Sequence, residues 1–343
     1  GFRDHCIWKE GDTWYQIIGS GITGKGGTAL LYRSSNLLNW DYLHPLFLAD
    51  TTAFPQLATA YMYECPDFFP LAAPDSNMMR YILNLSVMDD TPIHYSAYLA
   101  GTYSQDDHIF SAEQFHRLDY GPSFYAPQTF RDESGRRIMF GWLREARSED
   151  AQRAAGWSGM MSIPRVLTLR HDGMMSQQPA PELEMLRGRH MSHIQARGTS
   201  ITPDDSIEWH NDAVEIIAEF DLMDAAEAGI SVRCSADERE QTRIFYDRVG
   251  QQLVVDTTLS SLDPTLYSGS YSGPLTLAQG EKLHLHIFVD HSIVEVFAND
   301  RTCITGRIYP TLPDTMGINI IVNGGRTNLL SLDVWELNSI WGE

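Results

Sequence analysis

The sequence predicts an all-β protein with two parts, a run of β-propeller blades followed by a β-sandwich. Short apolar runs are separated by Gly, Asn, Asp and Pro, and sustained helical periodicity is almost absent. The first half repeats a strand, turn, strand pattern at an interval of about 60 residues, which is typical of propeller blades. The second half has more closely spaced strand patterns, as in an antiparallel sandwich.

The repeat in the first half has three segments, each with two apolar runs and a polar turn between them. The segments are residues 5–19, 65–86 and 126–142, with turns at residues 9–12, 74–77 and 132–135. Asp4 precedes Glu64 by 60 positions, and Glu64 precedes Ala126 by 62 positions. Because the innermost strands of propeller blades line a common channel, we expect residues at equivalent positions to meet there.

Three blades are too few to close a propeller. Five blades of about 60 residues need roughly 300 residues, whereas the propeller-like part ends near Gln178. An open ring exposes strand edges and apolar blade faces. We therefore expect the first part of the propeller to be missing from this chain, and a second polypeptide or another copy to fill the gap.

The second half begins after a stiff linker at residues 179–189, so the predicted domains are residues 1–178 and 190–343. Within the linker, residues 182–187 can form a brief helix that ends at Gly188. Leu283, Leu285 and Ile287 alternate with polar residues, which is the two-residue period of a strand with one buried face. Further strands are predicted at residues 294–297, 318–322 and 329–335, with a turn at residues 298–300.

The composition excludes several classes of partner. With 25 basic and 45 acidic residues the net charge is −20, which repels nucleic acid and anionic lipid surfaces. No apolar run approaches the roughly 20 residues that a membrane helix needs. The four cysteines form no Cys-x-x-Cys pair, so neither a zinc site nor a dense disulfide framework is indicated. A neutral sugar is compatible with this charge, and the compartment, cytoplasmic or secreted, stays open.

Short motifs point to one family. They are Arg3-Asp4, the run from Tyr63 to Phe68 (YECPDF), Asp119-Tyr120-Gly121, Phe124-Tyr125-Ala126, Phe140-Gly141-Trp142, Trp157-Ser158-Gly159, and the run from Ser162 to Arg165 (SIPR). With the runs at residues 288–297 and 307–310, they resemble glycoside hydrolase family 32, the invertases, levanases, inulinases and fructosyltransferases. The resemblance implies a five-bladed β-propeller followed by a β-sandwich. It also implies a β-fructofuranosidase-type enzyme that cleaves terminal β-fructosyl units of sucrose or fructans with retention. Members carry a nucleophilic Asp in a Trp-Met-Asn-Asp-Pro motif, which nothing in this sequence matches.

Glu64 is the candidate acid/base residue. Retaining cleavage needs two carboxyl groups about 5–5.5 Å apart, one of them able to protonate the leaving oxygen. An enclosed pocket shared with other carboxylates raises the pKa of a glutamate, as a proton donor at neutral pH requires. The alternative is an exposed glutamate in a turn.

Asp4 and Arg3 resemble the family's Arg-Asp-Pro triplet, in which the Asp stabilises the transition state by binding the fructosyl hydroxyls. The third residue here is His5, which loosens the motif but leaves the Asp in place. Arg3 is assigned to substrate binding with it. The alternative for Asp4 is a solvated acid close to the chain terminus.

Two further residues are candidates for substrate binding. By resemblance, Trp142 forms part of the floor of the fructosyl subsite, and its alternative is an ordinary core tryptophan. Asp119 resembles an acid at the rim of the leaving-group subsite, and it could equally cap a turn. His284, His286 and His291 suggest a metal site, but alternation along a strand explains them better, and the resemblance implies neither metal nor cofactor.

Two other functions stay open on the sequence. A fructosyltransferase of the same family differs from a hydrolase mainly in acceptor-site loops. A catalytically inactive fructan-binding protein would also fit a chain without the nucleophile motif.

Overall fold

The protein is described here from a computed structural model, which describes residues 1–74, 77–90, 94–194, 206–207 and 211–341. The chain divides into two compact units. Unit 1 comprises Gly1–Leu118, Phe124–Trp142 and Met161–Gln177, and unit 2 comprises Asp119–Ser123, Leu143–Met160 and Gln178–Glu343. Within the part of the chain so described, every helix is too short and too polar to cross a membrane.

The first thirteen strands build three antiparallel sheets. The strands are β1 (Phe2–Glu10), β2 (Thr13–Ile22), β3 (Gly26–Ser34), β4 (Asp41–Leu48), β5 (Met62–Ala72), β6 (Met79–Met88), β7 (Tyr95–Ser104), β8 (Ile109–Arg117), β9 (Phe124–Arg131), β10 (Arg137–Leu143), β11 (Met160–Met161), β12 (Arg165–Leu169) and β13 (Met175–Pro179). Sheet A has the order β1-β2-β3-β4 and sheet B the order β5-β6-β7-β8. Sheet C has the order β11-β10-β12-β13, with β9 also paired to β10. A 3₁₀ helix, Pro55–Leu57, precedes β5.

The sequence repeat corresponds to the first two strands of each sheet. The segments predicted from the sequence overlap the paired strands β1–β2, β5–β6 and β9–β10. Residues 75 and 76, in the middle of the predicted turn at 74–77, lie outside the described residues. Aromatic and aliphatic side chains of sheets A and B, including Tyr15, Leu31, Phe68 and Leu83, form one buried cluster. The apolar residues of these runs thus form the strand faces that pack against the neighbouring sheet.

The first strand of each of these sheets carries the same backbone irregularity. Asp4, Cys65 and Ala126 have positive φ angles of 58°, 45° and 50°. The hydrogen-bond register shifts at this point in β1 and in β5. The three positions are separated by 61 residues each, since 65 − 4 and 126 − 65 both equal 61. The residue of β1 equivalent to Glu64 is therefore Arg3, and Asp4 is equivalent to Cys65.

The remaining strands form the two sheets of unit 2. They are β14 (Arg187–Ile194), β15 (Ser206–Ile207), β16 (Ala213–Asp221), β17 (Glu227–Cys234), β18 (Thr242–Asp247), β19 (Gln252–Asp256), β20 (Ser270–Pro274), β21 (Leu283–Asp290), β22 (Ile293–Ala298), β23 (Thr302–Arg307), β24 (Gly317–Asn323) and β25 (Asn328–Leu337). Sheet D has the order β14-β25-β16-β21-β22-β23, and sheet E has the order β15-β24-β17-β18-β19-β20. Apolar side chains of both sheets form one buried core, which includes the alternating Leu283, Leu285 and Ile287 of β21.

Two short helices differ from the sequence prediction. The helix predicted at residues 182–187 is a 3₁₀ helix over Pro181–Leu186, and β14 begins directly after it at Arg187. The α-helix α1 (Glu149–Ala155) was not predicted. It buries none of its residues, so it lacks the apolar periodicity that reveals a helix. Its end signals are nevertheless present, with Ser148 at the N-cap and Gly156 in the left-handed conformation at the C-cap.

Candidate functional site

Glu64 lies on β5, and residues of both flanking innermost strands hold its carboxylate. Arg3 on β1 donates from Nε and Nη2 to Oε1, at 2.7 and 2.5 Å. Tyr125 on β9 donates from its hydroxyl to Oε2 at 2.7 Å. The Glu64 side chain is only 17% exposed, so the alternative of an exposed turn glutamate does not describe it. Both oxygens are bonded, which fixes the orientation of the carboxylate.

The backbone that presents Glu64 is unusual. The register of β5 against β6 shifts between Glu64 and Asp67, and Cys65 has a left-handed φ of 45°. A residue with a side chain occupies this region at a cost of about 1–2 kcal/mol. Such strain persists only where the surroundings fix it, and it is concentrated at functional sites.

Asp4 lies beside Cys65, the residue that follows Glu64, so the structure places the two predicted acids and Arg3 in one group. Its Oδ2 accepts a hydrogen bond from the backbone N–H of Cys65 at 3.3 Å and lies 3.6 Å from the Cys65 Sγ. Burial and the nearby Asp4 charge raise the pKa of the Cys65 thiol to about 12. The thiol therefore stays protonated and donates to Asp4. These contacts hold the Asp4 carboxylate in place, so Asp4 is not simply a solvated acid close to the chain terminus.

Arg3 connects the two acids. Its Nε lies 3.9 Å from Asp4 Oδ2 as well as 2.7 Å from Glu64 Oε1. The hydrogen bond to Glu64 is the largest influence on Arg3, and it raises the pKa of the guanidinium. Arg3 also lines a cavity of about 800 Å³ together with Lys25, Tyr61 and other residues, but neither Glu64 nor Asp4 lines it. A cavity of this size falls in the range of small-molecule sites.

Trp142 lies on β10, the strand that pairs with β9. Its side chain is 44% exposed, so the core alternative does not describe it. The preceding Gly141 has no room for a side chain, because a Cβ there would lie 2.3 Å from the Phe124 ring. Its N–H donates to the buried Ser162 hydroxyl at 3.0 Å. The contact of Trp142 with a fructosyl ring stays a prediction.

Asp119 belongs to unit 2, not to the unit that carries Glu64. Its carboxylate is buried, and Oδ1 accepts hydrogen bonds from the N–H groups of Gly121 and Thr305, both at 2.8 Å. Oδ2 accepts one from the Thr305 hydroxyl at 2.6 Å. These contacts favour the turn-capping alternative, and a role at the leaving-group subsite stays a prediction.

Two of the three histidines considered for a metal site, His286 and His291, have carboxylate partners. The His286 Nε2 lies 2.7 Å from Glu215, and the His291 Nδ1 lies 2.8 Å from Asp212. Among the residues that the structure describes, no group of three or more His, Cys, Asp and Glu is placed to hold a metal ion.

Sequence analysis gave Tyr125 no role, and it did not pair Arg3 with Glu64. The signal for both is the repeat, because Arg3, Glu64 and Tyr125 are separated by 61 residues each. Residues at one repeat position lie side by side on neighbouring innermost strands. The spacings of 60 and 62 residues align Glu64 with Asp4 and Ala126, and each of these lies one residue away from the true equivalents, Arg3 and Tyr125.

Family profiles match nearly the whole chain. The profile of the glycosyl hydrolases family 32 N-terminal domain matches residues 1–179, and that of the family 32 C terminal matches residues 182–336. A sucrose-6-phosphate hydrolase of Escherichia coli is 32% identical over 98% of this chain and 67% of its own length. A cell wall β-fructofuranosidase of Zea mays is 31% identical over 98% of this chain and 66% of its own length. The chain spans about two thirds of the length of such relatives, 63% in a sucrose-6-phosphate hydrolase of Zymomonas mobilis.

Solved structures share the fold. Exo-inulinase from Aspergillus awamori superimposes with a TM-score of 0.86 at 23% identity, covering 99% of this chain and 68% of the inulinase. Fructan 1-exohydrolase IIa from Cichorium intybus gives 0.85 at 24% identity, covering 98% of this chain and 72% of the exohydrolase. The predicted fold class, propeller blades followed by a sandwich, is confirmed.

Proposed function

The chain belongs to glycosyl hydrolase family 32, and we propose on that premise that it carries the acid/base half of a β-fructofuranosidase-type active site. The substrate would be sucrose or a fructan, in keeping with the names of the relatives. The observation that supports this proposal best is the group formed by Glu64, Asp4 and Arg3 on adjacent innermost strands. We also propose the domain limits 1–178 and 190–343, joined by the linker.

Glu64 is proposed to act first as an acid and then as a base. It protonates the glycosidic oxygen as the fructosyl group leaves, and it later removes a proton from the water that releases the fructosyl group. Tyr125 and Arg3 hold its two oxygens and so set the direction of proton transfer. Asp4, anchored by Cys65, is proposed to bind fructosyl hydroxyls and to stabilise the oxocarbenium-like transition state.

The nucleophilic carboxylate is proposed to come from residues outside this sequence, on further propeller blades. Sheet A supports this proposal, because one of its two faces carries exposed apolar side chains. Ile7, Gln16, Tyr32 and Tyr42 lie opposite one another across the four strands and therefore share that face. Ile7 and Tyr42 are exposed, as is Phe2, whose ring lies 6.3 Å from that of Tyr32. An apolar face of this kind is typical of an interface.

The substitution Glu64→Gln tests the proposed function in the active enzyme that contains this chain. It keeps size and polarity but removes the transferable proton, so turnover of sucrose should fall by roughly 10²- to 10⁴-fold. An aryl fructofuranoside with an activated leaving group should lose less in its first step. Glu113→Gln is the matched control, because Glu113 also lies on a strand of unit 1 and faces an arginine, Arg80, at 3.5 Å. Unchanged turnover of sucrose in Glu64→Gln would refute the assignment.

The same assay separates the two other functions. A fructosyltransferase would release less fructose than glucose from sucrose and form longer products. An inactive fructan-binding protein, the option that the unmatched nucleophile motif favours, would bind sugar without turnover before any substitution is made.

A further inference from the structure

We propose that Asp67 is a positioning residue for Glu64. It bonds β5 to both neighbouring innermost strands, directly after the backbone irregularity that follows Glu64. The inference rests on the proposed role of Glu64 as acid/base. Asp67 makes no contact with the sugar in this proposal.

Asp67 is bonded on both sides. Its side chain is buried, with the residue only 2% exposed. Oδ1 accepts a hydrogen bond from the thiol of Cys6 on β1 at 3.3 Å. Oδ2 accepts one from the backbone N–H of Thr129 on β9 at 2.9 Å. One carboxylate thus connects the strand that carries Arg3, the strand that carries Glu64 and the strand that carries Tyr125.

The position along β5 gives these bonds their importance. Glu64 pairs with Ser86 of β6, whereas Asp67 pairs with Asn84, so β5 holds an extra residue between them. Cys65, within this irregularity, has a left-handed backbone. A strained and irregular segment can relax to a different register unless its ends are fixed. Asp67 is the first residue after the irregularity, and its bonds to Cys6 and Thr129 fix that end.

On the β1 side, the bond from Cys6 repeats the contact of Arg3 with Glu64 three residues further along the strands, whereas Thr129 on β9 is 62 residues from Asp67. Cys6 and Asp67 are separated by the same 61 residues as Arg3 and Glu64. Burial raises the pKa of Asp67 and raises that of the Cys6 thiol to about 12. Burying a carboxylate costs free energy, and the hydrogen bonds from Thr129 and Cys6 and the positive charge of Arg137 offset only part of that cost. An apolar residue would pack there at less cost, so the position of the bonds, not stability, is the advantage of Asp67.

The test is Asp67→Asn, alone and combined with Glu64→Gln, in the active enzyme. Small displacements of a catalytic group lower rates by up to about 10²-fold. We expect kcat on sucrose to fall roughly 10- to 100-fold while KM changes less than about threefold. The loss should be smaller on an aryl fructofuranoside with an activated leaving group, because Asp67 acts through proton donation. In the double variant the two losses should not multiply, since Asp67 has no role once Glu64 cannot donate.

Cys6 provides a second test in case Asp67→Asn does not fold. Cys6→Ser keeps a donor to Asp67 and should retain activity, whereas Cys6→Ala removes the donor and should show the same substrate-dependent loss. Glu215→Gln is the matched control, a buried carboxylate in unit 2 whose loss should leave the ratio of the two substrate rates unchanged.

Three outcomes overturn the inference. They are equal losses on the two substrates, losses that multiply in the double variant, and a Cys6→Ala variant as active as Cys6→Ser. If Glu64→Gln alone leaves turnover unchanged, the proposed function fails, and the inference about Asp67 fails with it for that separate reason.

Discussion

Replacing Glu215 by Gln should destabilise unit 2 through a single buried group. Glu215 on β16 is 1% exposed and accepts two hydrogen bonds from Arg187, at 2.7 and 2.8 Å. His286 on β21 lies 2.7 Å from the same carboxylate. The substitution removes the charge but keeps the shape, so Arg187 loses its buried counterion.

The magnitude follows from the proton affinity of the carboxylate. Burial opposes its ionisation, but the hydrogen bonds and charges of Arg187 and His286 outweigh burial and lower the pKa of Glu215 from 4.5 to about 2. A difference of about 2.5 pH units corresponds to about 3 kcal/mol. Breaking a buried ion pair typically costs about 3–5 kcal/mol. We therefore expect Glu215→Gln to lower the free energy of unfolding by about 3 kcal/mol at neutral pH.

Urea unfolding followed by intrinsic fluorescence measures this loss, and Trp335 is a suitable reporter because Arg187 lies 4.1 Å from its ring centre. Glu184→Gln is the matched control. Glu184 also faces Arg187, at 3.5 Å, but its side chain is 62% exposed. A solvated pair of this kind contributes at most about 1 kcal/mol.

The loss should depend on pH with a definite sign. The pKa of Glu215 is lower in the folded state, so the stabilisation is complete above about pH 4.5 and disappears as the pH falls toward 2. The wild-type chain should therefore approach the stability of Glu215→Gln over that interval. Equal losses in Glu184→Gln and Glu215→Gln, or a difference that persists unchanged at pH 2, would refute the reasoning.

Two further predictions concern acids named in the sequence analysis. Asp4→Asn should lower kcat far more than it weakens fructose binding, because it removes an interaction that strengthens in the transition state. Steady-state kinetics and sugar titration on one preparation measure the two losses. Equal losses would contradict the prediction. Asp119→Asn should lower the free energy of unfolding by about 2–4 kcal/mol, because three buried hydrogen bonds are disturbed. Denaturant unfolding measures this loss of stability. A change in KM without a loss of stability would support the subsite role instead.

The residue pattern predicts the local elements, and the motifs identify the candidate acids. Strands such as Leu283–Asp290 were predictable because a strand with one buried face repeats every two residues, whatever it packs against. The repeat was visible for the same reason, since each blade must form the same hairpin. The helix Glu149–Ala155 was not predicted because it buries none of its residues. A helix without a buried face leaves only its capping residues as a signal in the sequence.

Which side chains meet depends on how the strands of different sheets pack together. Arg3 and Glu64 are 61 residues apart, and Asp119 and Thr305 are 186 residues apart. Contacts at such distances depend on how β1 and β5, the innermost strands of sheets A and B, align with each other, and a shift of one residue would exchange Arg3 for Asp4 as the neighbour of Glu64. Asp4, Cys65 and Ala126 lie at one level of the three innermost strands, and each has a positive φ angle. Their positive φ angles leave no mark on residue type here, because none of the three is glycine.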